Sequence, residues 1–380
     1  MEIDKLRELL EIKNGRDHKG LNSGIYPVYG SGGIMRYVDS FLYDKPSVLL
    51  TRKGTLDNIQ YADKAFWTVD TIYYTEVNSE KVNAYYLYNY LKLLDLSNLD
   101  SGTGVPSMTF DSYYNLNVKL PPLESQQKIA AVLSALDDKI VLNRRMNAKL
   151  EQMAKRLYDH WFVQFDFPNA DGKPYKSSGG KMEYNEVLKR EIPAGWEVKS
   201  IFDACDLLYG FPYATEPFDE DDLTASKKPY KIVRIRDIQN NAYSAKTTEK
   251  VDDKYRTRIN DLLIGMDGYF HMNFWSRNDD YINQRIVRLR KTCISTLILY
   301  FQIMPFIKFK EEKTKGSTVG HLSDKDLKQL FVVIPNNEFL SNHFETILNM
   351  KTRLNAEIEK LSATRDRLLP LLMNGQVEVR

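Results

Sequence analysis

The stretch that decides the fold of this chain is residues 129–161, which reads IAAVLSALDDKIVLNRRMNAKLEQMAKRLYDHW. When it is stepped through at alternating intervals of four and three residues, nearly every step falls on an apolar side chain, and charged residues occupy the flanking positions. This heptad pattern predicts a long helix that lies against another helix. The seam residues are Ile129, Leu133, Leu136, Ile140, Asn143, Asn147, Leu150, Ala154, Leu157 and Trp161.

A second segment, residues 342–375, repeats the seam and is the predicted partner helix. Its seam residues are Ile347, Met350, Leu354, Leu361, Leu368 and Leu371. The two asparagines of the first seam allow two interpretations. They fix the register of the helix pair at a cost in stability, or they only hydrate a weak point of a surface helix.

A constant offset in residue number, equal to 214, relates the two seams, as between Leu133 and Ile347. The same offset relates Gly54 to Gly268, and the short runs 70–72 to 284–286, 102–105 to 316–319, and 120–121 to 334–335. A constant offset at separated places indicates an internal duplication. Its period is far longer than that of a solenoid repeat, so we predict two domain-plus-helix units.

The composition excludes several classes of protein. Charged residues make up 27% of the 380 residues and hydrophobic ones 43%, which is ordinary globular composition. The net charge is only +2, although residues 254–315 carry 12 Lys and Arg against 6 Asp and Glu. Two cysteines, no signal-peptide core at the N-terminus and no sufficiently long apolar run predict a cytoplasmic protein without a membrane partner.

The regions between the helices are predicted to be rich in strands. Short β-type runs separated by glycine occur at 26–29, 48–51, 68–76 and 116–120, and again at 231–235, 261–265, 281–289 and 331–334. Segments 82–94 and 295–306 predict one helix in each domain, and residues 2–12 predict a short amphipathic helix. The predicted boundaries are a first domain at 1–120, a helix at 121–165, a linker at 166–192, a second domain at 193–335 and a helix at 336–380.

The sequence contains no recognisable catalytic signature. It lacks a phosphate-binding loop of the Gly-x-x-x-x-Gly-Lys-Ser/Thr type and an Asp/Asn-Pro-Pro-Tyr methyltransferase motif. The five histidines and two cysteines do not have the spacing of a zinc site, and the acidic run 216–222 beside prolines is typical of a solvated turn. We therefore expect a binding protein with no catalytic residue, no metal and no cofactor of its own.

The candidate contact residues cluster around the glycine loops, where a ligand can approach the backbone closely. Cationic, amide and hydroxyl side chains beside aromatic ones suit phosphates and base edges of nucleic acid, although each residue singly is more often a solvated loop residue. In the first domain the candidates are Ser31, Arg36, Arg52, Lys53, Asn58, Thr103 and Ser107. In the second they are Arg234, Arg236, Gln239, Asn240, Tyr269, His271, Asn273, Trp275, Arg277 and Ser317.

The whole chain resembles the specificity subunits of type I restriction-modification enzymes. The motifs that carry the resemblance are LPPLESQQKIA at 120–130, WFVQFDF at 161–167, GKPYKSSGG at 172–180 and IPAGWE at 192–197. At the start of the second helix, residues 336–340 read NNEFL and depart from the family pattern of Pro-Leu-x-x-Gln.

The resemblance implies an α+β fold in which two similar target-recognition domains are separated by two long helices that form an antiparallel coiled coil. It implies that each domain reads one half of a bipartite, asymmetric site in double-stranded DNA and that the helices set the gap. Two methyltransferase subunits and ATP-dependent restriction subunits would be the partners. S-adenosylmethionine, ATP and Mg²⁺ would bind to those partners and not to this chain.

Two alternatives belong to other classes of protein, and a third is a related DNA-reading function. The chain could be a self-contained modification enzyme, which a methylation assay on the chain alone would detect. It could be a coiled-coil scaffold with no DNA role, which a gel shift with the methyltransferase present would distinguish. It could also read DNA for another defence system.

Overall fold

The computed structural model describes residues 2–96, 106–213, 216–217, 229–314 and 320–379. The chain forms two compact units, Met1–Val141 with Glu359–Arg380, and Leu142–Ile358. The unit boundaries fall inside the two long helices. The predicted sites Thr103 and Ser317, the loop around each, and most of the acidic run 216–222 lie outside the described residues.

Among its described residues, the first unit has two β-sheets and a two-stranded ribbon. The four-stranded sheet has the order β2-β8-β5-β6, the three-stranded sheet β4-β3-β7, and the ribbon β1-β9. The elements are β1 Glu2–Lys5, β2 Leu10–Asn14, β3 Ser23–Gly30, β4 Gly33–Val38, β5 Ser47–Thr51, β6 Gln60–Ala62, β7 Trp67–Thr68, β8 Ile72–Val77, α1 Ala84–Lys92, α2 Phe110–Tyr114, β9 Asn117–Leu120 and α3 Leu123–Tyr158, of which the second unit holds the last part.

The second unit repeats this plan. Its sheets have the orders β13-β20-β17-β18 and β14-β16-β15-β19, with two-stranded ribbons β12-β21 and β10-β11. The elements are β10 Met182–Asn185, β11 Arg190–Pro193, β12 Glu197–Ser200, α4 Ile201–Ala204, β13 Cys205–Tyr209, β14 Glu216–Pro217, β15 Tyr230–Val233, α5 Ile235–Ile238, β16 Ala245–Thr247, β17 Leu262–Gly265, β18 Met272–Phe274, β19 Tyr281–Ile282, β20 Ile286–Lys291, α6 Thr296–Thr314, α7 Asp324–Leu327, β21 Phe331–Ile334 and α8 Glu338–Met373, which returns to the first unit.

The predicted duplication is confirmed by the positions of equivalent elements. β7, β8 and β9 correspond to β19, β20 and β21 at the offset found in the sequence, and the paired strands have the same lengths. Parallel pairing recurs as well, because β3 pairs with β7 as β15 pairs with β19. The two units are therefore copies of one topology.

The two long helices pair in antiparallel fashion, as predicted. Within the first unit Asp137 on α3 contacts Arg365 on α8. Within the second unit Asn147 contacts Asn355, and Glu151 contacts Lys351. The residue numbers rise along one helix and fall along the other, and those of each pair add up to 502. The seam residues on these helices are therefore held at one register.

Each helix end packs into the core of its own unit. In the first unit Ile129 and Leu133 of α3 join Leu372 and Met373 of α8 in the main core cluster. A positive φ of 69° at Gly375 ends α8, where Gly375 and Gln376 donate backbone hydrogen bonds to Leu372 and Leu371. This cap uses glycine because the left-handed conformation is unfavourable for residues with a Cβ.

An aromatic cluster follows α3 in the second unit. Trp196 packs against Phe162, Phe165 and Phe167, with ring centroids 4.9–5.8 Å apart. Asp166 accepts hydrogen bonds from the amide and hydroxyl of Ser177, which hold the pKa of this carboxyl below its usual range. The motifs at 161–167, 172–180 and 192–197 are thus parts of one packed structure, and the predicted linker contains the β10-β11 hairpin.

The prediction of a helix over residues 2–12 was wrong. The segment forms β1, one 3₁₀ turn and the start of β2, and it buries Leu6, Leu9, Leu10 and Ile12. β1 pairs with β9 and β2 pairs with β8, so partners that are distant in sequence determine its conformation. Tertiary pairing overrides local helical periodicity here.

Candidate functional site

A glycine loop follows the central strand β5 of the first unit. Gly54 has a φ of 107° and donates a backbone hydrogen bond of 2.9 Å to Pro106. Lys53 forms an isolated β-bridge with Ser107, and the amide of Met108 lies 3.0 Å from the carbonyl oxygen of Arg52. The loop is thereby fixed against residues 106–108, and Lys53 is exposed beside it.

The same loop recurs at the equivalent place of the second unit with the same hydrogen bonds. Gly268 has a φ of 70° and donates to Gly320 over 2.8 Å. Asp267 forms the bridge with His321, and Leu322 donates to Met266 over 2.7 Å. The backbone of the loop is conserved between the units, whereas the side chains on it differ.

A cleft of about 530 Å³ lies beside the second loop. Arg234 follows β15, Arg236 lies on α5, and Arg285 lies in the turn before β20. The loop itself contributes Asp267, Gly268, Tyr269 and His271, and the remaining lining residues are Ile235 and Asn283. Three guanidinium groups against one carboxylate give the cleft a positive balance of formal charge.

Tyr269 and His271 form a stacked aromatic pair at this cleft. Their ring centroids lie 5.8 Å apart with an interplanar angle of 21°. Tyr269 is 69% exposed, so most of its ring is open to solvent. An exposed planar ring beside guanidinium groups can stack on a nucleobase while the cations contact phosphates.

Asp267 organises the charged side of the cleft. Its Oδ1 lies 2.5 Å from Nδ1 of His321, and its Oδ2 lies 3.1 Å from Nε of Arg285. Because these contacts use both carboxylate oxygens, Asp267 orients two side chains that can also face a ligand. Residue reasoning missed Arg285 and His321. The duplication could have indicated His321, which occupies the place of the predicted residue Ser107.

The first loop carries two cationic side chains and no aromatic side chain at the places of Tyr269 and His271. Asn58 donates to the backbone oxygen of Ser31 and so joins the loop to the turn between β3 and β4. Arg52 donates to the carbonyl of Asp70 over 3.3 Å, and its guanidinium lies 5.9 Å from the ring centroid of Tyr73. Burial raises the pKa of Tyr73, and the nearby Arg52 partly opposes that rise. The structure therefore brings Ser31, Arg52, Lys53, Asn58 and Ser107 together.

Other predicted residues have contacts away from the loops. Arg36 lies on the β3-β4 hairpin and donates to the carbonyl of Leu21 over 3.0 Å. Asn273 donates to the backbone oxygens of Ile238 and Gln239. Gln239 and Asn240 are exposed just after α5. Arg36 is therefore held away from the first loop, and Gln239, Asn240 and Asn273 do not line the cleft of the second unit.

Trp275 is completely buried, and its Nε1 donates to Asp280 over 2.9 Å. The guanidinium of Arg277 lies 5.2 Å from the ring centroid of Trp275, with Nε 3.8 Å from Asp280 Oδ2. Burial raises the pKa of Asp280, while the indole hydrogen bond and Arg277 oppose the rise. The indole of Trp275 is therefore inaccessible to a ligand, in contrast to its prediction as a contact residue.

Metal sites and membrane spans are absent from the part of the chain that the structure describes. None of its His, Cys, Asp and Glu side chains form a group of three or more that could hold a metal ion. Among the same residues, no helix is both long and apolar enough to cross a membrane. A separate cavity of about 730 Å³ in the first unit is lined by residues such as Arg7, Glu76 and Tyr85, and by none of the predicted contact residues.

The comparisons with known proteins agree over most of the chain. The model of the type I restriction modification DNA specificity domain matches residues 1–152 and 193–360. The MjaIX specificity subunit of Methanocaldococcus jannaschii is 24% identical, covering 89% of this chain and 79% of that protein. The HindI specificity subunit of Haemophilus influenzae is 25% identical, covering 73% and 72%. The crystal structure of a type I restriction-modification system S subunit from M. genitalium has a TM-score of 0.63 at 17% identity, covering 98% and 95%, and shows the same fold.

Proposed function

Since the chain belongs to the type I restriction modification DNA specificity domain family, we propose that each of its two units reads one half of a bipartite DNA site. The observation that carries this proposal is the pair of loops with the same backbone hydrogen bonds and different side chains. Lys53, Thr55 and Ser107 occupy the places of Asp267, Tyr269 and His321. Two loops with the same backbone and different side chains suit a DNA site whose two halves differ in sequence.

In the second unit, Arg234, Arg236 and Arg285 contact phosphates or guanine edges, and Tyr269 contacts a base. Arginine suits both tasks because its planar group donates two parallel hydrogen bonds to phosphate or to guanine O6 and N7. The support is the positive balance of the cleft and the exposure of the tyrosine ring. In the first unit, Arg52 and Lys53 supply the cations.

The helix pair sets the distance between the two half-sites. Support comes from the one register that all three pairs of polar contacts share, on helices of 36 residues each. A helix of that length spans roughly 54 Å at about 1.5 Å per residue. A rigid spacer of this kind fixes half-site separation, as dimer geometry does in other DNA-binding proteins.

Two methyltransferase subunits dock on the helices and domains, and ATP-dependent restriction subunits join through them. Leu142, Met146 and Met153 on α3 are 44–49% exposed, and a groove of about 520 Å³ is lined by Met153, Leu157 and cationic neighbours on the same helix. Such exposed apolar side chains suit a protein partner. This chain has no catalytic activity by itself. S-adenosylmethionine, ATP and Mg²⁺ bind to the partners.

Mapping of methylated adenines in cells that express this chain with its methyltransferase partner tests the proposal. We expect one asymmetric motif with two specified parts and an unspecified gap of constant length. A control strain that expresses the methyltransferase alone should lack this methylation. A continuous or palindromic motif, or methylation that does not depend on this chain, would refute the proposal.

A further inference from the structure

Within the described part of the chain, each unit has an ion pair that connects α3 and α8. In the first unit Asp137 Oδ1 lies 2.8 Å from Nη1 of Arg365, and the hydroxyl of Tyr85 donates to the other carboxylate oxygen. In the second unit Lys351 Nζ lies 3.6 Å from Oε2 of Glu151. Asp137, Arg365 and Lys351 are each less than a third exposed, so both pairs lie at the edge of the helix interface.

These ion pairs occupy equivalent places in the duplication, but their charges are exchanged. At the duplication offset, Lys351 is the equivalent of Asp137, and Arg365 is the equivalent of Glu151. A faithful duplication would have left the same charge at equivalent positions. Instead α3 carries both acidic members, and α8 carries both basic members.

The common register shows what a wrong helix pairing would bring together. The numbers of two residues that contact each other across the helix pair add up to 502, and the numbers of equivalent residues on α3 and α8 differ by 214. If a second copy of α3 took the place of α8, Asp137 would face Glu151. If a second copy of α8 took the place of α3, Lys351 would face Arg365. Both substitutions therefore place like charges together.

The apolar seams do not make this distinction. Leu133 and Ile140 on α3 have Ile347 and Leu354 at the equivalent positions of α8, so either helix offers aliphatic side chains of similar size. Charges that flank a hydrophobic seam are the usual determinant of partner choice between helices with similar seams. Attractive and repulsive contacts of this kind have similar magnitudes and are screened by salt.

We propose that the two ion pairs specify helix identity: α3 accepts a helix of the α8 type, from its own chain or another copy, and rejects a second α3. The partner that fits is thus a helix with two basic residues 14 positions apart, as Lys351 and Arg365 are. Repulsion between like charges prevents α3 of one copy from pairing with α3 of another copy, and α8 from pairing with α8. It does not depend on the proposed role in reading DNA.

The test uses full-length chains labelled at the exposed Cys293, since Cys205 is buried. Donor-labelled and acceptor-labelled chains are unfolded in urea, mixed and refolded at low salt, and energy transfer reports mixed-label dimers. The variant Glu151→Lys with Lys351→Glu keeps an opposite-charge pair within the chain but makes like-with-like pairing attractive. We expect its association constant for mixed dimers to exceed that of the native chain by at least about tenfold.

The fourfold variant Asp137→Lys, Glu151→Lys, Lys351→Glu and Arg365→Glu is the matched control. It restores like-charge repulsion in both wrong pairings, so we expect mixed dimers to return to the native level. High salt should remove the difference between the three chains. If the twofold variant does not refold, Asp137→Lys with Arg365→Glu makes the same test. Equal mixing by native and twofold-variant chains at low salt would overturn the proposal.

Discussion

Asn147 on α3 donates a hydrogen bond to Asn355 on α8, with 2.6 Å between Nδ2 and Oδ1. One helical turn earlier, Asn143 is completely buried, and neither polar atom of its side chain has a hydrogen-bond partner within the described residues. The two seam asparagines therefore differ. The hydrogen bond of Asn147 can fix the register of the helix pair, whereas burial of the unpaired amide of Asn143 lowers the free energy of unfolding.

This difference predicts that the same substitution stabilises the protein at Asn143 but not at Asn147. A buried amide without a partner costs about 1–3 kcal/mol, so Asn143→Leu should raise the free energy of unfolding by about 1 kcal/mol or more. Asn147→Leu removes a hydrogen bond and should be neutral or destabilising by about 1 kcal/mol. Urea denaturation of both variants measures this. A loss of stability in Asn143→Leu would contradict the assignment.

In the first loop, replacing Arg52 and Lys53 by alanine should weaken binding of the assembled methyltransferase to its cognate DNA. If both side chains contact phosphates, the slope of the logarithm of affinity against the logarithm of salt concentration should fall in magnitude by about 1.8, at roughly 0.9 per contact. Affinity measured across a salt series checks both effects. An unchanged slope and affinity would exclude these residues from the DNA surface.

Substitutions in the second loop should change the recognition of only one half of the DNA site. Tyr269→Ala with His271→Ala removes the exposed aromatic pair, and loss of a stacked base contact weakens binding by about 1–3 kcal/mol, or roughly 5- to 160-fold. The matched variant in the first unit is Thr55→Ala with Asp57→Ala, at the equivalent positions of the duplication. Methylation mapping should show each variant relaxing a different half-site. Both variants relaxing the same half would contradict the assignment.

Protonation of Asp280 should make the free energy of unfolding depend on pH. Burial raises the pKa of this carboxyl in the folded protein, so the folded state binds its proton more tightly than the unfolded state does. Its contribution to stability is therefore present below the unfolded value, near 4, and is lost as pH rises through the raised value. Asp280→Asn keeps an acceptor for Trp275 and should lack this loss. Unfolding free energies of both proteins across the acid range give the difference, and a difference that does not change with pH would contradict the claim.

Much of the fold was predictable because periodicity and the duplication are visible in the residues. Residues 331–334 form β21 with the predicted bounds, and predicted seam residues such as Leu133 and Ile347 pack in the cores, whereas the predicted seam residue Met350 is 49% exposed. The N-terminal strands were not predictable, since Leu6 and Leu9 also fit a helical spacing and the partner strand β9 lies at the far end of the domain's sequence. Long-range pairing leaves no local signal.

The site was predictable to a smaller extent. Gly54 and Gly268 located both loops, because a left-handed turn after a buried strand favours glycine. Composition cannot separate an exposed aromatic residue from a buried one, so Tyr269 and Trp275 were treated alike although only Tyr269 is exposed. Arg285 precedes a buried strand and carried no local signal, and only the folded loop brings it to Asp267.

The proposed spacer role of the helix pair is tested most directly by lengthening both helices equally. Seven residues inserted after Arg144 in α3 and after Glu357 in α8 add two turns, or about 10.5 Å, which corresponds to roughly three base pairs of DNA. Methylated sites are then mapped for the native and the lengthened chain with the same methyltransferase partner. We predict unchanged half-sites separated by a longer gap, whereas altered half-sites with the original gap would contradict the account.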